Sequence, residues 1–135
     1  MKGIFISIKP KYLRLIEVGE KTYEFRNYYP KEKIDILYVY ETSPTCALKY
    51  IIHIGKIIKV PDRIKESGIG NAEFNVGNKT KYAYKIKNIY ILEKPILLKE
   101  LKEKYSFTPP QAYAYDTKYP LLLETIRSQS LIKIK

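Results

Sequence analysis

Thr22, Glu24 and Arg26 sit two residues apart within the stretch Gly-Glu-Lys-Thr-Tyr-Glu-Phe-Arg, residues 19–26. In an extended chain successive side chains point to opposite faces, so these three share one face while Tyr23 and Phe25 share the other. A carboxylate flanked by a hydroxyl and a guanidinium suits a polar ligand, because Glu accepts hydrogen bonds and Arg offers a rigid fork of donors. The same alternation arises on a surface strand that carries a cross-strand ion pair, so spacing leaves both readings open. Lys9 is a candidate for another reason. It precedes Pro10, which opens a helix, and so it holds the cap position where Ser, Thr, Asp or Asn would satisfy the free N–H groups. A cation at that positive end costs about 0.3–1 kcal/mol. A residue that breaks a local rule is a candidate for functional use, and a lysine snorkelling into solvent is the plainer alternative.

Other reactive side chains carry weaker signals. His53 lies inside an apolar strand-like run, where a packed or edge-exposed histidine is the ordinary reading. Cys46 reads as a small buried hydrophobe, since a nucleophilic thiol needs a nearby base. The acids are scattered, so no metal and no cofactor is expected.

The chain of 135 residues fits one domain able to bury its own core. Its 25 Lys and Arg against 14 Asp and Glu give a formal charge of +11, an excess that favours polyanions through counterion release. A lysine-rich, arginine-poor bias is also what an AT-rich genome produces, so charge alone does not settle the partner. No apolar run approaches the roughly 18 residues that a membrane span needs, and nothing at the N-terminus reads as a signal peptide. The expectation is a cytoplasmic protein with no membrane partner.

The elements that must hold the candidate residues follow from periodicity. Residues 2–8 alternate Ile4, Ile6 and Ile8 with Phe5 and Ser7, as a buried strand does. A helix from Pro10 carries Tyr12, Leu15 and Ile16 as its apolar stripe and ends at Gly19. Residues 27–33 read as loop, 34–41 as the clearest strand, and 42–45 as a turn. A long strand over 47–60 should bulge near Gly55. Residues 61–79 read as an irregular crossover with a short helix around 63–66. A bent strand, or two joined near Asn88, covers 80–93; helices start at Pro95 and Pro120; residues 106–116 are extended; and a short strand closes the chain. Strands dominate without alternating regularly with helices, which argues for a small α+β barrel rather than a doubly wound sheet.

The order Ser7-Ile8-Lys9-Pro10, a short helix, Gly19 to Arg26, the strand Leu37-Tyr38-Val39-Tyr40 and the turn Ser43-Pro44 resembles the ASCH domain family. Tyr82 to Ile86 and the Pro109-Pro110-Gln111-Ala112-Tyr113 segment are also similar to the family pattern. The resemblance reaches about Tyr115, which implies one domain over 1–135 with a core of 1–115 and a C-terminal extension of 116–135. It implies a strand-dominated α+β fold, a PUA-like small mixed β-barrel of five or six strands with two or three short helices. It also implies a basic cleft between the first helix and the barrel for RNA, a nucleotide or a modified base. Lys9, Lys21, Glu24, Arg26 and Ser43 match the cleft positions; Tyr40 and Gln111 are placed beside it by their neighbours.

Lys9 and Lys21 would neutralise phosphate, Glu24 would accept from a base amino group, Arg26 would donate to a base edge or phosphate, and a tyrosine would stack. An unpaired nucleotide suits such a pocket better than a duplex, since no helix is both long and strongly basic. Some proteins similar to this family deacylate acetylcytidine with a threonine nucleophile and a lysine, and others are ribonucleases. Lys21 matches that lysine, but Glu24 stands at the nucleophile position, and Thr22 lies one alternation earlier on the same face, about 7 Å away. The residues favour a non-catalytic binding module, with a small amidohydrolase or a ribonuclease as the alternative.

Overall fold

A computed structural model describes residues 2–77 and 79–135. In chain order the elements are β1 (Gly3–Ile8), α1 (Pro10–Glu17), β2 (Tyr23–Arg26), β3 (Ile36–Glu41), β4 (Ala47–Lys59), α2 (Asn71–Asn75), β5 (Tyr82–Leu97), α3 (Leu98–Tyr105), β6 (Ala114–Tyr115), a 3-10 turn (Asp116–Lys118), α4 (Pro120–Ser128) and β7 (Leu131–Lys133). The seven strands form one sheet in the order β2-β5-β4-β3-β1-β6, with β7 added to β5. Among the described residues only β1 and β3 pair in parallel, and α1 and β2 lie on the crossover between them. The sheet curls into a half-barrel, so the fold is strand-dominated α+β as the sequence implies. The seven strands exceed five or six because β6 and β7 are only two and three residues long.

Period-two alternation sorts the core into two layers. Ile4, Ile6, Ile8, Leu37 and Val39 point into the curl, where Leu13 and Ile16 of α1 close it. Phe5, Tyr38 and Tyr40 point to the other face, against Leu101 of α3, Phe107, and Leu122 and Ile126 of α4. Each fully buried Leu, Ile or Phe contributes roughly 1.5–3 kcal/mol, so both layers matter to stability. Residues 116–135 pack on this sheet: α4 buries three apolar side chains, and β7 pairs Leu131 to Lys133 with Leu92 to Tyr90.

Some local expectations shift. The buried stripe of α1 is Leu13 and Ile16, while Tyr12 stands 36% exposed. The short helix of the crossover is Asn71–Asn75 rather than 63–66, because the Asn75 side chain accepts from Ile64 N–H at 2.7 Å and donates to Ile64 O at 2.8 Å, holding that segment open. Pro95 does not start a helix but lies inside β5. The register against β4 jumps from the Tyr50–Ile91 pair to the Leu48–Ile96 pair, and in that irregularity the missing N–H of Pro95 costs no ladder bond. The helix begins three residues later at Leu98. The bulge at Gly55 is present as a register shift between Ile54 and Ile57. No helix among the described residues is long and apolar enough to cross a membrane.

Candidate functional site

The C-terminus of α1 delivers Lys21. Gly19 takes φ +82, and the backbone N–H groups of Glu20 and Lys21 both donate to Leu15 O, turning the chain sharply into β2. Strand β2 then pairs antiparallel with Tyr82 to Lys85 of β5. From above, residues 68–70 close over this turn: Ile69 N–H donates to Glu20 O at 2.9 Å, and Gly70, at φ +85, rests on the Phe25 ring. A β-carbon at position 70 would meet Phe25 at 2.7 Å, so only glycine permits this approach.

Two hollows open where α1, β2 and this loop meet. The larger, of about 560 Å³, is lined by Tyr12, Lys21, Glu24, Phe25, residues 68–70, Glu73, Phe74, Lys79 and Thr80. The smaller, of about 230 Å³, is lined by Ser7, Ile8, Lys9, Tyr12, Glu24 and Arg26. They share Tyr12 and Glu24 and therefore adjoin. Lys9, Lys21, Glu24 and Arg26, spread over eighteen positions of sequence, thus converge on one depression.

The electrostatics of this depression are unbalanced. Lys21 is 5% exposed, and its ammonium meets rings, 4.4 Å from the Phe25 centroid and 5.6 Å from that of Tyr12. Burial pulls its pKa below the ordinary lysine value; the charge of Glu24 opposes that shift and Arg26 adds to it. Glu24 is 7% exposed, and its Oε1 lies 3.7 Å from Arg26 Nε, beyond hydrogen-bond length. Arg26 Nη2 instead donates to Ser7 O at 3.0 Å. Glu24 Oε2 and Arg26 Nε are buried without any hydrogen-bond partner among the described residues. Each such orphan costs about 1–3 kcal/mol, which a ligand offering a donor to one and an acceptor to the other would recover.

The remaining sequence candidates lie elsewhere. Thr22 precedes β2 and lines neither hollow; its hydroxyl faces Asn71 Nδ2 at 3.5 Å. Tyr40 is buried in the layer with Phe107, because alternation along β3 sends Leu37 and Val39 into the curl and Tyr38 and Tyr40 away from it. Burial and the neighbouring Cys46 push the Tyr40 phenol up to about 12. Ser43 is exposed on the β3–β4 turn, and Gln111 lines a third hollow of about 650 Å³. His53 lies tilted against Tyr90, ring centroids 5.0 Å apart, and lines none of these three hollows, and Cys46 is half-buried at φ +49. No cluster of three His, Cys, Asp or Glu suited to a metal occurs among the described residues.

Sequence reasoning missed Tyr12, Phe25, Gly68, Gly70 and Glu73. Tyr12 fitted the apolar helix stripe, and helical period alone does not tell a core ring from a cleft wall. The glycine pair at 68 and 70 was the one available signal, since such spacing marks a close backbone approach.

Beside known proteins, residues 6–120 match the ASCH domain model. The crystal structure of ASCH from Zymomonas mobilis superposes with a TM-score of 0.70 at 23% identity, covering 96% of this chain and 96% of that one. A serine-to-alanine mutant of the same protein gives a TM-score of 0.72 at 23% identity over 96% and 97% of the two chains. A tyrosine-to-phenylalanine mutant gives 0.72 at 21% over 96% and 100%. At these identities the likeness is one of fold. No curated protein matches the chain.

Proposed function

The chain belongs to the ASCH domain family, and from that premise we propose that it binds RNA or a single nucleotide in the paired hollows between α1 and β2. The observation that carries this reading is the pair of buried, unpartnered atoms Glu24 Oε2 and Arg26 Nε, set beside the Lys21 ammonium, which packs on the Phe25 ring and feels the Glu24 charge. Glu24 Oε2 accepts from a base N–H, Arg26 Nε donates to a base carbonyl or ring nitrogen, and the Tyr12 and Phe25 rings give a flat apolar contact. Lys9, exposed at the mouth, and Lys21, at the back, meet the phosphate. A base stacked on an aromatic ring gains about 1–3 kcal/mol, and each charge-assisted hydrogen bond about as much again.

Binding of a fluorescein-labelled single-stranded RNA, followed by anisotropy, tests this. Lys21→Glu and Arg26→Glu are each expected to weaken binding by about tenfold or more, near 1.4 kcal/mol, and to flatten its salt dependence. Lys56→Glu, on an exposed position of β4 outside the hollows, is expected to leave it nearly unchanged. Equal affinity for all three proteins would remove the hollows from consideration.

One observation favours a second reading, hydrolysis of an acylated nucleoside: Glu73 and Thr80 line the same hollow as Lys21. A lysine whose pKa is lowered by burial is suited to proton transfer, and a hydroxyl and a carboxylate share its cavity. Turnover of acetylcytidine that vanishes in Lys21→Ala and persists in Lys56→Ala would establish this activity.

A further inference from the structure

We propose that the hollow around the Pro109-Pro110-Gln111 segment holds the next nucleotides of the same strand, so that the ligand is a single-stranded RNA rather than a free nucleoside. This rests on the binding reading above and extends it. The hollow, of about 650 Å³, lies within the size range of nucleotide sites. Its wall includes Tyr105, Thr108, Gln111, Tyr113, Lys118 and Tyr119, and no acid lines it.

It is joined to the α1–β2 depression by a short bridge. Arg26 Nη2 donates to Ser7 O at 3.0 Å, and Ser7 Oγ donates to Pro110 O at 2.9 Å. Ser7 and Arg26 line the smaller hollow, and Pro110 lines this one, so the Ser7 hydrogen bond joins the walls of the two. A second tie runs alongside: Tyr28 OH donates to Ala112 O at 2.7 Å, and its ring lies 5.0 Å from that of Tyr113. The smaller hollow thus adjoins the larger one through Tyr12 and Glu24 and this one through the Ser7–Pro110 hydrogen bond.

The chemistry differs between the two ends of this track. At the α1–β2 end, Glu24 and Arg26 carry orphaned polar atoms that select a base edge. At the far end, tyrosine rings, the Gln111 amide and the Lys118 ammonium supply stacking, an adaptable hydrogen-bonding group and a positive charge. That combination tolerates any base and holds the backbone, the pattern of single-strand binding. Bases of a duplex are stacked and paired and cannot enter either hollow, which commits the occupant to an unpaired strand.

Oligouridylates, which neither pair nor stack strongly, give a clean length series. Uridine monophosphate and chains of two, four and six residues are titrated against the wild-type protein. The same titration is made with Thr108→Glu/Lys118→Glu, both at exposed positions of the far hollow. A control, Lys56→Glu/Lys94→Glu, changes the net charge by more and touches no hollow.

Affinity of the wild-type protein should rise by about tenfold or more from one residue to four, as linked contacts add. That rise should fall below about twofold in the Thr108/Lys118 variant, with monophosphate affinity unchanged, and persist in the control. A wild-type protein that binds the monophosphate with no gain in length, or a gain that survives Thr108→Glu/Lys118→Glu, overturns the track while leaving the nucleotide site standing. Absence of binding at every length overturns both. Oligodeoxyuridylates binding as tightly as the RNA series would overturn the RNA assignment.

Discussion

Lys21 is the residue at which stability and the proposed function pull apart. Its ammonium is buried against rings, and its pKa in the folded chain lies below the ordinary 10.5. In the window between that lowered value and 10.5 the folded chain sheds the proton while the unfolded chain keeps it, so this group's contribution to stability rises with pH there. Below the window the charged ammonium is buried at a cost. Lys21→Met keeps the stem and removes the charge. In urea unfolding near neutral pH it is expected to be as stable as the wild type or more so, by up to about 1 kcal/mol, and to lose the alkaline rise. RNA binding is expected to weaken in the same variant; a clear loss of stability would show that Lys21 is a structural residue instead. Glu24 and Arg26 stood out as polar side chains on one face of a short alternating stretch, Lys9 as a cation at a helix cap, and Lys21 through the family resemblance. It misplaced Thr22 because β2 begins only at Tyr23, so the alternation does not extend back to it. Tyr40 was misplaced because a sequence neighbour of a turn is not thereby a neighbour of the cleft.

At the scale of elements, the crossover from 61 to 70 is the part that turns an open sheet edge into a cavity. Glu66 anchors it: the carboxylate accepts from Tyr23 OH at 2.8 Å and pairs with Lys85 at 3.3 Å. The Tyr23 bond, with help from a backbone bond and from Lys85, holds the Glu66 carboxyl at about 2, below its ordinary 4.5. A carboxyl depressed in this way adds stability above 4.5 that is lost as pH falls from there toward about 2. Glu66→Gln should therefore flatten the acid limb of the thermal midpoint against pH, lowering the midpoint at neutral pH more than at pH near 2. An unchanged acid limb would mean the anchor contributes nothing. Gly70→Ala tests the other end of the crossover. The left-handed φ and the approach to Phe25 are expected to cost at least roughly 1–2 kcal/mol in denaturant unfolding and to shift the Phe25 ring resonances. The crossover was the least legible part of the sequence, since its shape is set by side chains reaching back to the backbone, as Asn75 does to Ile64, and not by any period. Strands β1, β3, β4 and most of β5 were legible because a sheet with one face in the curl and one under α3 and α4 imposes alternation between its register shifts, and the end of β5 was missed where such a shift admits Pro95.

For the molecule as a whole, a charge of +11 favours polyanions in general, whereas the proposed reading confines recognition to the hollows. The two contributions separate by salt. Reversal or removal of a lysine that meets phosphate lowers the slope of log affinity against log salt by about 0.7 per contact for a single strand. Lys9→Gln is expected to show that decrement and Lys56→Gln none; equal slopes would mean that the attraction is diffuse. The fold class was legible from strand dominance, and a meeting of Lys9 with Lys21, Glu24 and Arg26 was expected from the family resemblance, but the part of residues 68–70 in this convergence was not legible, because it depends on the return of a loop. That convergence is the central claim, and amide chemical-shift mapping of the labelled protein with uridine monophosphate tests it most directly. The account predicts the largest shifts at Ser7 to Tyr12, Lys21 to Arg26 and Gly68 to Gly70. Shifts confined to other surfaces, such as α3 or β7, would contradict it.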